Sequence, residues 1–156
     1  MFKYKFITLF VITTILWPSY CLCRSGVSIV NVMVTEPPPG VGMTAGYFDI
    51  RNTGSQPVSL IKVTSPDFGS IELHRSIVTE GIARMVRQDS VTVPPDTSLK
   101  FQPGDYHLMM FRPHKQLSTG DMVTLTFYFS DSTSLNVKAM IMKQGAGHDT
   151  HTHQHH

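Results

Sequence analysis

Cysteine is scarce in this chain of 156 residues, which contains only Cys21 and Cys23. Both lie at the end of an N-terminal apolar stretch, so a chain cleaved after Cys23 would contain no thiol. Such a chain cannot form structural disulfides, cannot act as a thiol oxidoreductase and cannot supply the Cys ligand of a blue-copper electron carrier. Its stability must therefore come from packing.

The chain also lacks a strong net charge. It has 13 Lys and Arg residues against 11 Asp and Glu residues, for a formal net charge of +2. Lys3 and Lys5 lie in the N-terminal stretch, and without them 11 basic residues balance the 11 acidic ones. We expect no nucleic-acid partner, because no basic field is available to recruit a nucleic acid or an anionic membrane surface.

Two further features are missing from the sequence. No segment shows a long helical period, which argues against a helical bundle. No nucleophile stands with a matching general base in a recognisable constellation, so we do not expect an enzyme.

Residues 1–23 have the pattern of an export signal. Lys3 and Lys5 supply a basic start, and the 12-residue apolar run Phe6–Trp17 is too short to span a bilayer comfortably. Small residues at −1 and −3 allow cleavage after Cys21 or after Cys23. The alternatives are an uncleaved anchor and a lipoprotein, although the bulky residue before Cys21 makes a poor lipobox. We expect no stable membrane insertion after cleavage.

The rest of the chain alternates between short apolar–polar runs and turn signals. Strands recurring about every 8–12 residues predict an all-β sandwich or barrel, here a single domain over residues 24–144. The predicted strands are Val27–Val34, Met43–Asn52, Val58–Val63, Gly69–Ser76, Ile82–Gln88, Ser90–Val93, Ser98–Phe101, Tyr106–Arg112, Met122–Ser130 and Ser134–Met142.

Four side chains between residues 71 and 109 form a candidate metal site. Ten residues separate His74 from Met85, 21 separate Met85 from His107, and one separates His107 from Met109. Two imidazoles and two thioethers are a soft, neutral ligand set that favours Cu(I). Taken singly, each of these residues is more commonly an ordinary core or surface residue.

Strand geometry predicts how these residues could meet. With a turn at 78–81, a hairpin symmetric about its centre would place His74 directly opposite Met85, their Cβ atoms about 4.5–5.5 Å apart. His107 and Met109 are two residues apart on another strand and therefore share a face. A tetrahedral site would form where these two pairs come together.

The four-residue spacing and its flanking sequence resemble a family of periplasmic copper chaperones often called PCuAC. The flanking stretches that carry the likeness are Ala45–Asn52, Ile71–His74 and Pro103–Met110. The likeness extends over roughly Val27–Met142, and all four ligand positions of the family's motif are filled.

The resemblance implies a cupredoxin-like Greek-key β-barrel or sandwich that carries Cu(I) in the periplasm. It also implies delivery of copper to an acceptor, such as the dinuclear site in cytochrome c oxidase subunit II or a thiol-containing copper chaperone. We expect a monomer. The alternatives are a copper scavenger or store with no specific acceptor, and a β-domain for adhesion or scaffolding that binds no metal.

Residues 145–156 form a tail whose composition cannot build a core, so we expect it to be disordered without metal. Imidazole-rich tracts bind Cu(II), Zn(II) or Ni(II), and some relatives in the resembled family carry similar extensions. A solvated tail without a role and a purification tag are the alternatives, although polar residues interrupt this tract. The tail's five histidines, of eight in the chain, are His148, His151, His153, His155 and His156.

Five other residues receive weaker predictions. Met43 could cover the metal from one side, but packing at the core or rim is the more common role for such a residue. Met110 should point away from Met109 into the core, and His114 should be a solvated surface residue. Glu72 and Arg75 could orient the site, although ordinary surface roles are more common.

Overall fold

The computed structural model describes residues 26–143, and all their regular elements are β-strands. Every predicted strand is present, with its ends shifted by at most three residues. The strands are β1 (Val27–Thr35), β2 (Met43–Asn52), β3 (Val58–Thr64), β4 (Phe68–Thr79), β5 (Ile82–Gln88), β6 (Val91–Val93), β7 (Thr97–Phe101), β8 (Tyr106–Pro113), β9 (Met122–Phe129) and β10 (Ser134–Met142). Within the described range there is no helix long and apolar enough to cross a membrane.

The export signal predicted for residues 1–23, including Cys21 and Cys23, lies outside the described residues. The histidine tail at 145–156 also lies outside them. The predictions for both segments therefore remain predictions.

The period of two in the sequence defines an inner and an outer face of the sheet. In β9, Val123, Leu125, Phe127 and Phe129 are all buried, while Tyr128 between the last two is exposed. This pattern is expected of a strand with one face on a core. These four side chains of β9 therefore face the core.

All ten strands belong to one curled sheet. Its order is β5-β4-β8-β2-β1-β10-β9-β3-β6, and β7 pairs with β2. One edge of β2 binds β1, while its other edge binds β8 along Met43–Gly46 and β7 along Phe48–Asn52. The short β6–β7 connection thus links the far end of the sheet to its middle, and the sheet closes on a single core. The predicted all-β class is confirmed.

Aromatic rings fill the centre of that core. Phe48 stacks on Phe101 with ring centroids 4.2 Å apart and meets the edge of Phe127 at 4.9 Å. Aromatic pairs of this kind contribute about 0.5–1.5 kcal/mol beyond the effect of their burial. The centre of the inner face is thus used for packing.

Candidate metal centre

The centre of the site is the antiparallel pair β4–β8. In this register His74 lies directly opposite His107, and Glu72 lies opposite Met109. The intervening pair Leu73–Leu108 is buried and faces the core. Since neighbouring residues alternate in side, both histidines and Met109 share the outer face.

The two imidazoles lie close together. Their ring centroids are 6.0 Å apart and the planes are inclined by 41°. An ion bound to one nitrogen of each ring would make two metal–nitrogen bonds of about 2.0–2.1 Å. Two bonds of this length are compatible with the distance between the ring centroids. A single ion can therefore be held between the rings.

A tight turn before β8 orients His107. The backbone N–H of Asp105 donates to the carbonyl of Gln102 at 3.2 Å, and Gly104 has a positive φ of 83°. The Nδ1–H of His107 then donates to the carbonyl of Asp105 at 2.9 Å. This bond fixes the ring and its tautomer, leaving the Nε2 lone pair as the available donor to a metal.

His74 is held by a carboxylate instead of a carbonyl. Its Nε2–H donates to Oε2 of Glu72 at 2.9 Å. Its Nδ1 is buried and has no hydrogen-bond partner among the described residues. An unsatisfied buried acceptor costs about 1–3 kcal/mol, and a metal ion at Nδ1 would remove this cost.

Glu72 and Arg75, which lie on either side of His74, have different environments. Oε1 of Glu72 accepts from Nη1 of Arg87 at 3.1 Å, which fixes the carboxylate beside His74. The hydrogen bond from His74, assisted by the charge of Arg87, lowers the pKa of Glu72 from its ordinary value against the opposing effect of desolvation. Glu72 therefore links His74 to Arg87 through its carboxylate. Arg75 instead donates to Asp105 at 3.1 Å.

The predicted partner of Met85 was wrong: Met85 pairs with a residue two positions further along β4 than His74. Thr79 pairs with Ile82, so the loop of the hairpin is Glu80–Gly81, and Met85 lies opposite Ser76. The partner of His74 is Arg87. A shift of two residues preserves the face of a strand, so Met85 lies diagonally from His74 on the same side. Its side chain is 65% exposed.

The reason for this register is the backbone of the turn. Glu80 and Gly81 both have positive φ, of 53° and 76°. Two central residues with positive φ form a type I′ turn, whose twist matches that of a hairpin. The sequence signal was present in Gly81, but the predicted turn was centred one residue too early.

The remaining methionines and histidines occupy varied environments. Met109 is half-buried and pairs with Ala45 on the side away from Glu72. Met110 is fully buried, which confirms its predicted core position. His114 is exposed, as predicted, and its Nδ1–H donates to the carbonyl of Pro66 at 2.9 Å. Met43 is 42% exposed at the start of β2, so it does not belong to the core.

The donor types restrict which metal could bind. Within residues 26–143, no group of three or more His, Cys, Asp or Glu side chains is arranged to hold a metal ion. Two imidazoles alone would need further ligands, and the thioether of Met109 lies on their face. An imidazole–thioether set fits a soft ion such as Cu(I) and does not suit hard cations.

Sequence comparison identifies relatives along most of the described chain. A family model described as "Putative lipoprotein LpqE-like" matches residues 27–141. The chain is 34% identical over 101 residues to an uncharacterised protein, RP573, of Rickettsia prowazekii, covering 63% of this chain and 56% of that protein. It is 31% identical over 96 residues to a protein of Leifsonia xyli subsp. xyli named "Putative lipoprotein Lxx21020", covering 61% and 58%. The chain thus spans little more than half the length of either relative.

Solved structures share the fold. The copper-bound PCuAC domain from PmoF2 superposes with a TM-score of 0.66 at 22% identity, over 77% of this chain and 95% of that domain. The Cu(I) form of DR1885 from Deinococcus radiodurans superposes with a TM-score of 0.60 at 25% identity, over 81% and 83%. The cupredoxin-like architecture predicted from the resemblance is confirmed. This chain belongs to the LpqE-like family, and its domain has the fold of the PCuAC domains.

Proposed function

We propose that this protein is a copper chaperone that binds Cu(I) through His74, Met85, His107 and Met109. The observation that carries the proposal is the direct pairing of His74 with His107, together with the unpartnered buried Nδ1 of His74. Both rings are held by hydrogen bonds that leave one nitrogen free, which is how proteins prepare imidazole ligands. The copper-bound domains with the same fold support the choice of metal.

The ligand set suits a cargo that must be released. All four donors are neutral when they bind, so the ion keeps its single positive charge and no thiolate anchors it. Thioethers need not lose a proton to bind, whereas the imidazoles must be neutral. Four protein ligands leave no open position for a substrate, which favours a carrier over an enzyme.

The position of the site favours transfer to another protein. Met85 is the most exposed of the four side chains and lies on the β4–β5 hairpin at the edge of the sheet. An incoming ligand could displace its thioether first and then take the ion from the more buried histidines. We propose that a monomer performs this exchange with the dinuclear copper site of cytochrome c oxidase subunit II or with a thiol-containing copper chaperone.

The family description supports a location in the cell envelope. A lipoprotein family is exported, and residues 1–23 have the pattern of an export signal. On this basis we propose a periplasmic location. The alternative, a copper scavenger or store, differs in having no specific acceptor.

A transfer experiment tests this function. The protein is loaded anaerobically with Cu(I), mixed with an apo-acceptor fragment carrying the dinuclear site, and separated, and the copper in each fraction is measured. We expect copper on the acceptor, and much less copper loaded onto and delivered by His74→Ala than by His114→Ala, which removes a surface imidazole. Tight binding without transfer would favour the scavenger. Absence of Cu(I) binding would contradict both functions.

A further inference from the structure

Three methionines form a row across the outer face of the sheet, away from the histidines. Met33 on β1 pairs with Met140 on β10, and Met140 pairs with Met122 on β9. The flanking residues Val34, Ile141 and Val123 are buried in the core, so all three methionines point outward. We call Met33, Met140 and Met122 the methionine row.

Met33 reaches this face only because β1 contains a bulge. Val30 pairs with Asp49, but Met33 pairs with Tyr47, so one extra residue is accommodated on β1. Asn31 adopts a positive φ of 55° there, and its side-chain amide donates to the carboxylate of Asp49 at 2.8 Å. Without the extra residue the register would move by one, and Met33 would point into the core.

The side chains of the row are accessible. Met140 and Met122 are 48% and 46% exposed, and Met33 is half-buried between its neighbours. Met142 lies two residues beyond Met140 on the same strand and therefore shares its face. Three thioethers on adjacent strands are concentrated here on a surface that β9 and β10 otherwise fill mainly with hydroxyl, amide and lysine side chains.

From this arrangement we infer a second, thioether-only site for Cu(I) formed by Met33, Met140 and Met122. Met140 and Met122 are paired across antiparallel strands, where Cβ atoms lie about 4.5–5.5 Å apart. Met33 lies on the neighbouring parallel strand, and adjacent strands are about 4.7–4.9 Å apart. A methionine side chain is long and unbranched, so the outer two sulfurs can turn toward the middle one. Thioether sulfur selects Cu(I) over harder ions. Met142 is near enough along β10 to serve as a fourth donor.

The surroundings of the row fit a singly charged ion. Tyr47 borders Met33, and burial raises the pKa of its phenol, so this ring remains neutral. Lys138 lies two residues before Met140 on the same face, opposite Thr124. Its long stem lets the ammonium turn into solvent, away from the sulfurs. The row lies on the same outer face as His107, two strands further along the sheet.

The test is a residue-resolved titration with Ag(I), a redox-inert ion with the same ligand preference as Cu(I). Full-length protein labelled at the methionine methyl groups is followed by NMR. We expect the Met33, Met140 and Met122 signals to shift together, while the signal of buried Met110 stays in place. The Met85 and Met109 signals report the histidine site separately, so failure of one site is distinguishable from failure of the other.

Variants decide whether the three thioethers act together. The double variant Met122→Leu/Met140→Leu keeps the side-chain volume and should bind one fewer Ag(I) per chain, with the Met33 shift abolished. The matched control Met110→Leu removes a thioether from the core and should bind as many ions as the parent. The inference is wrong if the row's signals do not move at saturation, or if Met33 still shifts in the double variant.

Discussion

His74 and His107 lie directly opposite each other on β4 and β8, with ring centroids 6.0 Å apart. This pairing connects two segments separated by 33 positions in the chain, and it places both rings on the same outer face of the sheet. Because neither ring can leave its place without breaking a hydrogen bond, the protein itself fixes the arrangement of the two imidazoles.

The first prediction concerns the ligands. Cu(I)-loaded protein truncated after residue 146 should show both nitrogen and sulfur neighbours in X-ray absorption at the copper edge, since imidazoles and thioethers share the outer face. The sulfur shell should lie near about 2.3 Å, by analogy with other metal–sulfur bonds. A spectrum with only nitrogen or oxygen neighbours would contradict the proposed site.

Met85→Leu should weaken Cu(I) binding by about tenfold or more, equivalent to roughly 1.4 kcal/mol, because leucine cannot act as a ligand. Met85 is exposed, so the free energy of unfolding should change by less than about 0.5 kcal/mol. Competition with a Cu(I) chelator measures the affinity, and thermal unfolding measures the change in stability. Val86→Leu, which changes the exposed neighbour of Met85 on the opposite side of β5, is the control and should bind as the parent does. Unchanged affinity in Met85→Leu would remove Met85 from the ligand set.

Glu72→Ala should reduce Cu(I) affinity by roughly 10–100-fold, as expected when the partner of a metal-binding histidine is lost. The carboxylate fixes both the orientation and the tautomer of His74 through the 2.9 Å bond to Nε2. Glu72→Gln keeps a hydrogen-bond acceptor at this position and should lose less. Affinities come from chelator competition, with Asp131→Ala, which removes an exposed carboxylate between β9 and β10, as the control. Equal binding by Glu72→Ala and the parent would show that Glu72 does not support the site.

Gly81→Ala should destabilise the β4–β5 hairpin by about 1 kcal/mol, because alanine resists the positive φ that this turn requires. A Cβ at Gly81 would meet no atom within 4 Å, so the cost arises from the backbone alone. Gly42→Ala is a matched control, since that position is equally open and does not have a positive φ. The thermal unfolding temperature and the Cu(I) affinity should both decrease in Gly81→Ala and stay unchanged in Gly42→Ala. If the two variants behave alike, the turn does not position Met85.

Deleting residues 147–156 should abolish tight Cu(II) binding and leave the Cu(I) site of the domain intact. The deleted tail supplies imidazoles and a carboxylate, which Cu(II) prefers, whereas the domain supplies thioethers, which it does not. Lower pH should release tail copper, since protons compete for imidazole nitrogens near their unperturbed pKa of about 6.5. Paired titrations with Cu(II) in air and Cu(I) under nitrogen compare the two proteins. Equal Cu(II) affinity in the full-length and truncated proteins would show that the tail does not bind Cu(II).

The strands were predictable because their signal is local. Alternation of apolar and polar residues with a period of two depends only on neighbouring positions, and turn residues mark the ends. The same alternation correctly placed Met109 and Met110 on opposite sides of β8. Ligand types could also be read directly, since the softness of imidazole and thioether donors is a property of the side chains themselves.

The sequence by itself determined the all-β class, the strand bounds to within three residues and the chemical nature of the candidate ligands. Tertiary structure decided which strands are neighbours, and therefore that His74 meets His107, that Glu72 supports His74, and that Met33, Met140 and Met122 align. It also decided the hairpin register that moved Met85 to a diagonal position. Strand pairing joins residues far apart in the chain, and its register depends on turn and bulge conformations such as those at Glu80 and Asn31, which alternation alone does not encode.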